Sequence, residues 1–516
     1  MATPRPFILR SQPGIKRDGT RLEGNNYSNG RWVRFTPRGL PRKIAGYRAT
    51  TSSLPEVVRG MDSFTIDKRN FLHLGSKSFL TQVIINSDGT PGAISDRTPA
   101  GFVPDDNNLW QITAMRDVAG GVTSVVAFAG HNLDDIASSD TFPVYYGDVS
   151  TNAQLVASAM DPVSGGILAL PPFLITYGSG GYVGASGDGS VPATAPPGGM
   201  TAGAAFVTAQ KVIFGLSTRN QGGPAALLWS LDSLIQLTFD AGITTGFPFD
   251  FSTISDDISV LSSQSILEFD SIYYWAGVDR FMLYNGVVRE LPNNLNIDFF
   301  FDNLNFTYRQ KAFAFKVPRW GEIWFCAPLF GATECNWAVI YNTRLQTWYD
   351  TPLPDGGRSA GIFAKVYQRP FMCDVDSTDA GSYTLWQHET GLDKVNSDGS
   401  VPIRAFYQTQ EYSPVTATDK QAMDRSYHVE IVEPDFVQLG DMTITVASRQ
   451  NAKTPPVLSA PMTFVQTATS EDQQIVRMRV EGRLMAFIFE SNTPGGDFYK
   501  GEVVAHLEEA TGRITR

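Results

Sequence analysis

Short runs of aromatic and β-branched residues, five to eight long and separated by tight-turn dipeptides, recur along almost the whole chain. Asp88-Gly89, Asp188-Gly189, Asn285-Gly286, Asp355-Gly356 and Asp398-Gly399 are such dipeptides, each suited to reversing a strand. Apolar residues at helical spacing are scarce, and Leu227–Leu237 and Leu295–Asn305 are the only weak helix candidates. The fold class that follows is mainly β.

The runs echo one another. A short strand, a polar turn and an aromatic strand follow in VVRGMDSFTIDKRNFLHLGSKSFLTQV from Val57, TAGAAFVTAQKVIFGL from Thr201 and SVLSSQSILEFDSIYYWAGVDRFMLYNG from Ser259. The pattern returns in RQKAFAFKVPRWGEIWFCAP from Arg309 and in GRSAGIFAKVYQRPFMCDVD from Gly357. Between the second strands near Tyr273, Ile323 and Phe371 the period is about fifty residues, the length of a four-stranded propeller blade. The expectation is a β-propeller of about six blades over residues 51–400. Within it, WAVIYNTRLQTWYDTPLP (Trp337–Pro354) reads as a hairpin turned at Asn342-Thr343-Arg344, with Tyr341 and Trp348 packing between neighbouring sheets. This hairpin resembles blades of kelch-type propellers.

Two regions depart from the blade pattern. Gly178–Gly199 is rich in Gly, Ser and Pro and nearly uncharged, which predicts a flexible insertion. From residue 401 to 516, stretches such as SYHVEIVEPDFV and QQIVRMRVEGRLMAFIFES alternate with period two, predicting a C-terminal antiparallel β-sandwich-like unit.

Charge divides the chain differently. Residues 1–48 hold eleven Lys/Arg against Asp18 and Glu23, leaving 30 basic and 50 acidic residues in the remainder. A basic head on an acidic body suits docking to an anionic surface. In GNNYSNGRWVRFTPRGLPRKIAGY (Gly24–Tyr47), Pro37, Gly39 and Pro41 break the strand pattern, so this segment is expected to be an arm or edge strand with a rigid elbow, and residues 1–50 an extended docking arm. Its candidate docking residues are Arg31, Trp32, Arg34, Phe35, Arg38, Arg42 and Lys43. Arginines interleaved with aromatics can stack on nucleic-acid bases, pair with carboxylates of a protein partner, or form a solvated charge run. The acidic body repels polyanions and favours the protein partner.

Catalytic signatures do not emerge. No Gly-x-Ser-x-Gly elbow, Walker loop, His-Glu-x-x-His helix or Rossmann fingerprint occurs, and the five histidines are isolated. CDVDSTDAG (Cys373–Gly381) departs from the EF-hand order of donors and reads as a solvated turn. Cys326, Cys335 and Cys373 are too few and scattered for a disulfide framework or a zinc site. The expectation is therefore no enzyme, no cofactor and no metal. Two carboxylates facing a propeller pocket would suffice for glycoside hydrolysis, and that alternative stays open. Neither a signal peptide nor a membrane-spanning segment is read from the N-terminal sequence, and a product made in a reducing cytoplasm is expected.

The opening, with its arm followed by RGLPRKIAGY and RGMDSF, is similar to that of the tail hub or nozzle proteins of short-tailed bacteriophages, also called packaged-DNA stabilisation or tail tubular proteins. The segments QSILEF–DSIYYWAGVDRFMLYNG, EIWFCAP–NWAVIYNTRLQTWYD and QIVRMRVEGRLMAFIFES fit the same family. The resemblance implies a structural virion protein, assembled in the host cytoplasm as a homohexameric ring in the tail. It would sit below the portal and adaptor (head-to-tail) rings, near tail fibre or needle proteins, and help retain packaged DNA. DNA would pass through the ring lumen without sequence-specific binding, kept from sticking by an acidic wall. A kelch-type protein-interaction propeller and a carbohydrate-active propeller are the alternatives.

Overall fold

The computed structural model describes residues 5–66, 69–86, 91–106, 108–116, 123–130, 140–148, 153–158, 160–186, 203–218, 223–240, 247–376, 382–413, 425–467 and 475–513. The fold is mainly β, and the only α-helix among the described residues is Ile297–Asn303. That helix falls inside the candidate Leu295–Asn305. Leu227–Leu237 is instead two strands, Ala226–Ser230 and Leu234–Phe239, joined by a turn that Ser230 and Ser233 close through their hydroxyls.

Among the described residues six four-stranded antiparallel sheets and then one six-stranded sheet follow one another, with first strands at Val58–Ile66, Leu109–Arg116, Gly166–Leu170, Val212–Ser217, Leu267–Phe269, Phe313–Val317 and Arg358–Ala364. We number them I to VII. In I to VI the four strands pair in sequence order. In VII the first three are Arg358–Ala364, Arg369–Asp374 and Tyr383–His388, and the fourth is Tyr47–Leu54 from the other end of the chain. Two short strands, Lys394–Asn396 and Gly399–Val401, extend that sheet outward.

Neighbouring sheets share apolar cores. Trp110 joins sheets I and II, Leu174 lies with Phe128 between II and III, and Leu228 packs with Ile175 between III and IV. Trp229 meets Trp275 between IV and V with ring centres 6.0 Å apart. Sheets VI and VII meet through Phe313 and Met372, and VII meets I through Phe371 and Leu72. The hairpin Trp337–Pro352 of sheet VI follows its sequence reading. Tyr341 lies opposite Trp348, their rings 4.9 Å apart, and Trp348 continues to Phe281 of sheet V at 4.7 Å.

Against the expected six or so blades, seven successive sheets are present among the described residues. Sheets II and III were missed because LWQITAMR, TSVVAFAG, GILAL and FLITY lack the paired aromatics that mark sheets V and VI. The echo at Thr201 spans a boundary, since Gly203–Phe206 ends sheet III and Val212–Ser217 begins sheet IV. Gly178–Ser186 is ordered and contributes Tyr182–Ala185 to sheet III, while the remainder of the expected insertion lies outside the described residues.

The C-terminal region forms two facing sheets, but not alone. One contains Val476–Gly482, Arg425–Leu439 and Asp497–Arg513, extended by Arg5–Ile8, Pro41–Lys43 and Val33–Phe35. The other contains Ala405–Gln408, Leu484–Ser491 and Met442–Arg449, extended by Asn29–Arg31. The expected extended arm is therefore corrected: its apolar positions Leu9, Ile15, Tyr27, Val33 and Phe35 enter one core with the C-terminal strands and with sheets VI and VII. Burying those side chains, at roughly 1.5–3 kcal/mol each, outweighs leaving the segment solvated.

A candidate docking surface

The residues expected to dock a partner separate into buried and exposed groups. Trp32 is buried with its backbone at φ +55°, a conformation rare for a bulky side chain, and is held by its N–H donating to Thr351 Oγ1 at 2.9 Å. Phe35 is buried between Tyr27 and Tyr349, each ring centre 5.3 Å away. Lys43 is buried and its ammonium donates to Gly496 O at 2.6 Å; burial lowers its pKa against the pull of Asp393 and Asp497.

Arg34 is 1% exposed and sits between two carboxylates. It donates to Glu322 at 2.8 and 3.0 Å and to Glu389 at 2.8 and 2.5 Å. Glu322, fully buried, also accepts from Trp324 Nε1 at 2.9 Å and from the Tyr349 hydroxyl at 2.7 Å. Burial works against the Arg34 charge, but the two carboxylates outweigh it and raise its pKa; burial raises that of Glu322, with Arg34 pulling the other way. This arrangement fastens the N-terminal hairpin to sheets VI and VII. As docking residues, Trp32, Arg34, Phe35 and Lys43 are thus corrected: their partners lie within the same chain.

Arg31 and Arg38 are exposed, and Arg42 is partly so. Arg42 lies over the indole of Trp320 at 5.4 Å, with Asp497 3.6 Å from its guanidinium. Trp320 also has Arg34 at 4.8 Å and Arg319 at 5.1 Å from its ring centre. Arg344 reaches the same turn, donating to Arg319 O at 2.9 Å and Pro318 O at 3.0 Å. The sequence reading missed Arg319, Trp320 and Arg344. The signal was the PRWG turn inside the fourth echo, but nothing local joined it to a strand almost three hundred residues earlier.

A second feature is a cavity of about 450 Å³ lined by the first strands of all seven sheets. Gln111 of sheet II crosses it to donate to Gly165 O and Ile213 O, and Gln264, before sheet V, donates to Arg59 O of sheet I. Burial pushes the Asp62 carboxyl up to about 7, opposed by the Ser63 N–H and Lys365. Glu268 lines the same cavity but accepts from Ser271 N at 2.9 Å and pairs with Lys316 at 3.2 Å.

Among the described residues no three His, Cys, Asp or Glu side chains converge as a metal site requires, and no helix is long and apolar enough to cross a membrane. All three cysteines are buried free thiols. In the Cys373–Gly381 stretch, Asp374 accepts from Thr384 N at 2.8 Å and Trp386 Nε1 at 3.3 Å, while Asp379 lies outside the described residues. Comparison with protein-family models and with curated proteins finds no match to this chain.

Proposed function

We propose that the seven sheets close a propeller and that the chain is a structural component of a virion tail, a nozzle or hub ring that retains and conducts packaged DNA. The observation that carries this reading is the path of the N-terminal segment. It runs through both sheets of the sandwich and then supplies the fourth strand of sheet VII, which ties the ends of the chain together. A strand borrowed from the far end is an effective way to close a ring of sheets, because it removes an open edge. Such mutual bracing suits a part that bears load in an assembly. The polar groups that converge in the interior, Arg34 with its two carboxylates among them, are engaged in holding these layers together.

The conduit would lie between copies, since the cavity inside the sheets has the size of a small-molecule site. The acidic body keeps such a wall from binding phosphates. The carbohydrate-active alternative has Asp62 and Glu268 in the cavity, but Glu268 is already paired with Lys316. The test is the mass of the chain in solution, alone and with adaptor protein, followed by imaging of particles labelled for it. A ring of six on the tail is expected. A monomer under all conditions, with no particle association, overturns the reading.

A further inference from the structure

We propose that Arg42 and Arg319, both over Trp320, together with Arg344 bound to the same turn, form one composite docking surface for a carboxylate-rich protein. Two turns at the same end of sheet VI build it. One follows the strand Phe313–Val317 and carries Arg319 and Trp320, the latter closed by Trp320 N donating to Val317 O at 3.0 Å. The other, Thr343–Gln346, carries Arg344 and is locked by the Asn342 side chain accepting from Arg344 N and Leu345 N, each at 3.0 Å. The Arg344 guanidinium crosses from the second turn to the carbonyls of the first, and the Thr343 hydroxyl donates to Gly321 O at 3.0 Å. The N-terminal hairpin then lays Arg42 against the same indole.

Carbonyl dipoles orient a guanidinium without cancelling its charge. Among the described residues no carboxylate pairs with Arg319 or Arg344, both of which are exposed, and Asp497 stands at 3.6 Å from Arg42. The nearby Glu322 and Glu389 are engaged by Arg34. Arg319 and Arg344 therefore have no carboxylate counter-charge among the described residues, and Arg42 has only Asp497 at 3.6 Å, on a chain that carries a net charge of −11. They are also pre-ordered, by stacking on one ring and by hydrogen bonds, so little side-chain freedom is lost when a carboxylate arrives.

A protein surface fits better than a nucleic acid. Carboxylates at protein spacing can meet three clustered guanidiniums bidentately, whereas a duplex extends well beyond the patch and meets the acidic body. The partner's place in a tail rests on the proposed function, but the surface does not. The native full chain should bind immobilised poly-L-glutamate at low salt and release it at high salt. Arg42→Glu combined with Arg319→Glu should weaken binding about tenfold, since exposed pairs act weakly one by one. Arg319→Gln, which removes no hydrogen bond, should weaken it less and keep the fold, and Arg280→Gln on sheet V should leave it unchanged. Duplex DNA is the competing probe. Absence of poly-L-glutamate binding, equal binding by native and variant chains, or tighter capture of duplex through the same arginines would overturn the proposal. Because the assay uses no particle, those outcomes leave the tail reading to be decided by imaging.

Discussion

The seams between consecutive sheets and the seam that joins sheets VI and VII to the N-terminal hairpin both bury apolar side chains, but only the second also embeds charge. The first kind is aromatic and aliphatic, as where Trp348 lies on Phe281 or Trp229 on Trp275. The second embeds charge: Arg34 between Glu322 and Glu389, Arg17 on Asp350 at 2.9 Å, and Arg358 buried between Tyr47 and Trp386. Apolar seams are non-directional and tolerate the same design repeated from sheet to sheet. A buried ion network, by contrast, permits only one docking geometry, because any other leaves a carboxylate desolvated and alone. The repeated seams contribute non-directional apolar burial, and the charged seam restricts how the N-terminal hairpin docks on sheets VI and VII.

The largest expected effect tests the apolar kind. Trp348→Ala removes a fully buried ring shared by sheets V and VI and should cost about 4 kcal/mol, read from the denaturation midpoint. Arg34→Ala should cost about 3 kcal/mol, because Glu322 keeps its place at 0% exposure without a counter-charge. If the charged seam confers geometry rather than stability, replacing Arg34, Glu322 and Glu389 together by apolar residues should recover most of that loss. Recovery of the midpoint but not of protection from proteolysis at the hairpin would sharpen the contrast. A failure to recover any stability would break it.

A smaller effect concerns close approach between sheets I and II. Gly75 faces the ring of Trp110, and a Cβ there would lie 2.1 Å from its Cγ. Trp110 cannot retreat without losing the bond from its Nε1 to Ser76 O at 2.7 Å. Gly75→Ala should therefore cost about 1–3 kcal/mol by overpacking, measured as a shift in thermal midpoint.

The smallest effect is a change in pH profile where the C-terminal strand Asp497–Arg513 covers the N-terminal segment. Lys500 is buried and donates to Leu9 O and the Tyr27 hydroxyl, each at 3.3 Å; burial pushes its pKa down to about 8, with Glu502 opposing. Below that pH the folded chain bears the penalty of a buried ammonium. As pH rises the folded state sheds the proton while the unfolded lysine, near 10.4, keeps it, so this group's contribution grows from about pH 8 upward. Tyr27, whose pKa burial raises, reverses the trend above about pH 10, where the unfolded tyrosine ionises first. Lys500→Met should flatten the rise between those limits in midpoints measured across pH.

Strand content was legible because its determinants are local. In sheet VI the alternation in Trp337–Tyr341, the turn at Asn342 and the returning Trp348 all lie within one hairpin, and the register follows from them. Sheets II and III carry the same architecture with fewer aromatics, and their membership became visible only through packing on their neighbours. Asn285-Gly286 and Asp398-Gly399 do sit at hairpin turns with Gly286 and Gly399 at positive φ, while Asp355-Gly356 links sheets VI and VII.

The basic segment shows the limit. By itself the sequence determined that eleven cations cluster in residues 1–48 and that Trp32, Phe35 and Tyr47 stand among them. A cation looks the same in sequence whether it faces water, a partner or a buried carboxylate. Only the tertiary structure decided between these, because Arg34 finds Glu322 and Glu389 at separations of 288 and 355 residues, and Tyr47–Leu54 finds its strand partner at Tyr383–His388. It also left Arg42 beside Arg319 and Arg344, a grouping with no local trace. Local sequence sets backbone preference and side-chain periodicity; which charges are desolvated, and against what, depends on contacts that exist only once distant strands have paired.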